Sequence, residues 1–66
     1  MQQIRTMHPY GFRSGDWAIL RHRLTDPMTG RDLYLVEFGD YATDFWVADD
    51  PDGQYEFRDW AVPGLA

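Results

Sequence analysis

The chain contains no cysteine, and because its six basic residues are all arginine it contains no lysine. The first absence excludes disulfides and thiolate zinc sites, the usual staples of very small domains. No apolar run approaches the ~18–20 residues needed to cross a bilayer. The opening Met1-Gln2-Gln3-Ile4-Arg5 lacks the apolar stretch behind basic residues that marks a secretory leader. No 3.6-residue apolar period extends over ten residues, so no long helix is expected. Internal repeats and low-complexity tracts are also missing. These absences leave the expectation of one soluble cytoplasmic domain with no membrane partner.

Aromatic residues are abundant. Three Trp, four Tyr and four Phe stand in 66 residues. A chain this short buries only ~60% of the surface its unfolded form exposes. Rings that each bury ~150–250 Å² offer a way to build a core without a staple. Five of them, Tyr34, Phe38, Tyr41, Phe45 and Trp46, crowd into one stretch that reads as strand, turn, strand. They either fill the core or line a groove upon it. Tyr41, at the turn, is the one expected in solvent.

Charge is divided unevenly. Residues 1–31 carry five arginines against Asp16 and Asp26, a net +3, and residues 32–66 carry nine acids against Arg58, a net −8. Oppositely charged strands lying side by side in one sheet account for this division. The sharper alternative is a bipolar surface whose acidic side steers a basic partner. Arginine without lysine, with nine Asp among eleven acids, is the usage of a GC-rich genome such as those of many actinobacteria and their phages.

Alternation of period two places strands at Trp17–Leu24, at Arg31 or Asp32 to Phe38, at Asp44–Ala48 and at Gln54–Phe57. Residues 1–11, broken by Pro9 and Gly11, read as an irregular lead-in to a domain spanning 12–66. In the first strand, Ala18, Leu20, His22 and Leu24 are expected on one face, with Trp17, Ile19, Arg21 and Arg23 on the other. In the second, the polar end at Glu37 marks Tyr34, Val36 and Phe38 as the core face. Asp49-Asp50-Pro51-Asp52-Gly53 is the strongest turn signal, with Pro presetting φ and Gly supplying positive φ. It predicts a hairpin pairing the last two strands. Its acids lack the 12-residue spacing and terminal Glu of a calcium loop. Trp60 to Pro63 is expected to add a short 3₁₀ turn or an edge strand. Short strands at even spacing imply an all-β fold, a small four- to five-stranded antiparallel barrel.

Phe12-Arg13-Ser14-Gly15-Asp16-Trp17-Ala18-Ile19-Leu20 resembles the opening strand of SH3-like barrels. Val36-Glu37-Phe38-Gly39-Asp40-Tyr41, followed by Thr43 and Phe45-Trp46-Val47, resembles the Tudor version of that barrel, with Ala42 where the pattern has Gly. Trp46-Val47-Ala48 through Gly53 is similar to the tryptophan strand of Src-homology barrels, without the proline and second glycine expected after it. The resemblance implies a non-enzymatic recognition module. In its Tudor form it implies an aromatic cage drawn from Tyr34, Phe38, Tyr41 and Trp46, with Asp40 or Asp44 as the anionic partner.

No catalytic constellation stands out. Ser14, His22 and Asp16 lack a strained nucleophile turn and oxyanion donors. His8 and His22 are not held together by any motif, so no metal site is expected, and no cofactor is implied. The expected function is a protein-interaction module, phage- or mobile-element-encoded. Its partner surface would comprise Trp17, Tyr41 and Trp60 as aromatic anchors with Asp40, Asp44, Asp49 and Asp50 around them. The alternatives are a nucleic-acid binder using Arg21, Arg23 and Arg31, with Arg21 and Arg23 on one strand face, and a structural subunit of a larger assembly, for which self-association would speak.

Overall fold

The computed structural model describes residues 1–11 and 13–59. They form an all-β domain: one sheet of five antiparallel strands, β1 (Gln2–Arg5), β2 (Ala18–Thr25), β3 (Asp32–Glu37), β4 (Thr43–Val47) and β5 (Glu56–Asp59), in the order β4-β3-β2-β1-β5. The four expected strands recur within two residues. Their pairing and the lead-in are corrected.

The lead-in contains a strand, and that strand is internal to the sheet. β1 pairs with β2 on one side and β5 on the other. Ile4 sits opposite both Ala18 and Phe57 and is fully buried. One apolar residue among Gln2, Gln3 and Arg5 gives no period-two signal to read. Tertiary pairing, not local pattern, makes this segment a strand.

The last strand leaves β4 and joins β1, from Gln2 opposite Asp59 to Arg5 opposite Glu56. The Asp49–Gly53 segment does turn: Asp50 N–H donates to the Val47 carbonyl and Gly53 N–H to the Asp50 carbonyl. It carries the chain away from β4 instead of closing a hairpin. Positive φ falls on Gln54 at 47°, not on Gly53. Gly53 is needed for space, because a Cβ there would lie 2.6 Å from the Tyr55 ring.

β4 and β5 are therefore not paired, and the sheet is not closed into a barrel. Rings span the gap on its concave face. Tyr55 stacks on Trp46 with centroids 5.7 Å apart and 9° between planes, and it meets Tyr34 edge-on, as Tyr34 in turn meets Phe57. The Tyr55 hydroxyl donates to the Val47 carbonyl at 2.8 Å. Ile4, Ala18, Val36, Phe38 and Trp46 form the core beneath, so the Tyr34/Val36/Phe38 face is the inner one as expected.

A β-bulge between Leu20 and His22 shifts the register of β2 against β3. Directly opposed residues share a face. Leu20 opposes Val36, His22 opposes Leu35, and Arg23 opposes Tyr34. Beyond the bulge the faces of β2 are therefore exchanged relative to simple alternation, and Arg21 and Arg23 lie on opposite sides of the sheet. No described helix is long and apolar enough to cross a membrane.

Candidate functional site

Thr6 follows β1 and is buried. Its hydroxyl donates to the Gly53 carbonyl at 2.6 Å and accepts from His8 N–H, and its own carbonyl accepts from Gly15 N–H. Met7 N–H also donates to Gly53. These bonds tie the segment after β1 to the turn after β4. Between them lies a groove of about 280 Å³ whose walls include His8, Tyr10, Asp44, Trp46, Asp50 and Tyr55. Tyr10 is 93% exposed, with its ring edge-on to His8, and its N–H donates to His8 Nδ1. Trp46 and Tyr55 present the margin of the stacked pair to the same space.

The groove is electronegative. Asp44 accepts from Trp46 Nε1 at 3.1 Å and from Phe45 N–H at 2.8 Å, and Asp50 accepts from Asp52 N–H. No described arginine forms an ion pair with Asp44 or Asp50, whereas Asp40 and Asp49 are paired with Arg13 and Arg31. Burial, with the nearby carboxylates adding to it, pushes the Tyr55 phenol up to about 12. It stays a neutral donor to Val47.

The sequence-derived set is dispersed. Asp44 and Asp50 meet in the groove. Asp49 lies beyond the end of β4, on Arg31. Asp40 and Tyr41 form the β3–β4 turn, where the Arg13 guanidinium grips Asp40 at 2.6 and 2.5 Å and lowers its carboxyl to about 2. Tyr41 is 84% exposed at φ 70°. Trp17 is half-buried beneath the guanidiniums of Arg5 and Arg58, 4.6 and 4.1 Å from its ring, and does not stand free. Trp60 lies outside the described residues.

The cage residues do not converge. Phe38 and Trp46 are buried, Tyr34 is half-buried, and Tyr41 stands in solvent. The arginine patch is likewise dismantled. Arg21 is paired with Glu37 and Arg31 with Asp49, while Arg23 lies over the Tyr34 and Phe57 rings on the concave face. Ser14 Oγ donates to the Thr6 carbonyl, and His22 stands beside Leu35 on the convex face.

Tyr10 and Tyr55 were not singled out by the sequence. Tyr10 sits in a segment without period, and its neighbour Pro9 reads as a breaker. Its one signal is a large ring next to a turn residue, where packing does not demand one. Comparison of the chain with protein-family models, curated proteins and solved structures returned no match.

Proposed function

We propose that this protein is a non-catalytic protein-interaction module of the SH3-like type, and that it docks a basic, extended segment of a partner protein in the groove between Tyr10 and β4. The observation that carries this reading is the composition of the groove. The exposed ring of Tyr10 and the margins of half-buried Tyr55 and buried Trp46 line it beside two carboxylates that no described arginine neutralises. The open face of Tyr10 favours a cationic group by ~0.5–1 kcal/mol, the range for exposed sites. Carboxylates add steering and orientation. An extended segment matches a groove that follows a strand.

The free edge of β4 is unsuited to strand addition. Phe45 N–H is taken by Asp44, and the Val47 carbonyl is taken by Tyr55 and Asp50. Side chains rather than a new backbone would therefore supply recognition. Phage origin and host-protein docking remain part of this reading on composition alone.

The test is binding to an array of basic and acidic extended peptides, followed by titration of the hits against Tyr10→Ala and Asp50→Asn. Each substitution should weaken a basic peptide at least several-fold while the fold persists, and binding should fall with salt. Selection of acidic peptides, or binding indifferent to both substitutions, refutes the groove.

A further inference from the structure

β3 carries Leu33-Tyr34-Leu35-Val36 without interruption. Tyr34 and Val36 serve the core, but Leu33 and Leu35 face the other way. A sheet with one face in water shows apolar and polar residues in alternation, and continuous apolar strands belong to sheets covered on both faces. The register places Leu24 and Val47 beside Leu33, Phe45 beside Leu35, and Ile19 one row on, next to Glu37. Phe45 is 56% exposed and Leu24 38%. The convex side of β2-β3-β4 is thus an apolar patch interrupted by His22, outside the core cluster and bordering the groove at Phe45 and Val47, which line both.

Charges frame this patch at both ends. At one end Arg21 pairs with Glu37, and at the other Arg31 pairs with Asp49. These two ion pairs are neutral although the chain carries −5. Two copies meeting here would avoid the repulsion that their net charge imposes elsewhere. The order of the charges is also self-complementary. A two-fold axis lying in the interface and running across the strands exchanges the two ends of each strand. It sets Glu37 of one copy over Arg31 of the other, Leu33 over Leu35, and Phe45 over Val47.

We propose that the convex face of β2-β3-β4 binds a second copy of this chain, forming a two-fold dimer. Three strands at ~4.8 Å spacing and about five residues at ~3.4 Å give a patch of roughly 14 by 17 Å. That is smaller than the ~800 Å² per partner of a standard stable interface. The dimer is accordingly weak and concentration-dependent.

Sedimentation velocity of the full chain tests it. The sedimentation coefficient should rise steadily with protein concentration, as mass action requires of a weak dimer. Phe45→Asp, at an exposed position, should weaken association at least tenfold with an unchanged circular dichroism spectrum. Tyr10→Ala, in the groove, should leave it unchanged. Arg31→Glu and Glu37→Arg should each remain monomeric alone, and the two mixed should associate, because every cross-interface pair is then complementary. A wild-type chain that stays monomeric throughout overturns the proposal. So does association that Phe45→Asp leaves intact. Failure of the mixture to associate, with each variant folded, overturns the crosswise arrangement.

Discussion

Tyr41 separates backbone energetics from side-chain energetics. It occupies the last position of the three-residue turn between Phe38 and Ala42: Tyr41 N–H donates to the Phe38 carbonyl, and Phe38 N–H donates to the Ala42 carbonyl. In such loops the closing residue is left-handed and is usually glycine. A side chain there costs ~1–2 kcal/mol. The ring recovers little by burial, since 84% of the residue is in solvent. Replacing it by glycine removes the strain and adds back ~0.5–1 kcal/mol of unfolded-state entropy. The net expectation for Tyr41→Gly is a gain of about 0.5–1 kcal/mol. In a domain of ~60–100 residues 1 kcal/mol shifts the melting point by ~4–8 °C, so Tyr41→Gly should melt ~2–8 °C higher. Tyr41→Ala keeps the Cβ and the strain and should not share this gain. Thermal melts of the three proteins at one pH and concentration decide the matter. A lower melting point for Tyr41→Gly, or equal values for glycine and alanine, refutes the reasoning and assigns the ring a packing role. A confirmed gain would mean that the native residue holds an exposed ring at the expense of stability, as strained positions at functional sites do.

Other outcomes follow from the same geometry. Gly53→Ala drives a Cβ into the Tyr55 ring. It should cost ~1–3 kcal/mol, the usual range for overpacking, and the loss of near-ultraviolet signal from the Trp46–Tyr55 stack should report it. Thr6→Val removes the hydroxyl between Gly53 and His8. It should cost ~1–3 kcal/mol by stranding buried polar groups, with faster hydrogen exchange across residues 6–11. Tyr55 has a raised folded pKa, so its contribution to stability is fully present below about 10 and is lost as pH rises towards about 12. Urea melts across that window should show stability falling, and Tyr55→Phe should flatten the fall. Asp40 has a lowered folded pKa, so its contribution is present above 3.8 and is lost as pH falls towards about 2. Asp40→Asn should remove that acid dependence.

Much of the sheet was legible because β2, β3 and β4 are adjacent in sequence and patterned at period two. The Tyr34/Val36/Phe38 face could be assigned because Glu37 terminates the opposite row. Gly30, at φ 72°, closes the β2–β3 turn that Asp26-Pro27 begins. The bulge at Arg21 could not be read, since an extra residue leaves the composition of β2 intact while exchanging its faces. β1 was hidden for another reason: its three polar side chains look outward or pair at a distance, and only Ile4 enters the core. The acids of the candidate site could be named, but not which of them arginines neutralise. That depends on Arg13, Arg21 and Arg31 reaching carboxylates 16–27 residues away. Tyr10 escaped because a ring outside any strand has no periodicity to declare its direction.

The return of β5 to the side of β1 has a consequence for the sequence of folding events. Pairs within β2-β3-β4 close loops of a few residues, whereas Arg58 joins Gln3 and Glu56 joins Arg5 across more than fifty. Closing a longer loop carries a larger entropic cost before any contact compensates it. The local meander is therefore expected to gain protection early. The β1 segment, which takes an inner place in the finished sheet, would wait for β5. A nascent polypeptide emerging as far as Val47 would hold three strands with the Gln2–Arg5 segment not yet flanked on both sides, and that segment, made before them, would settle after them.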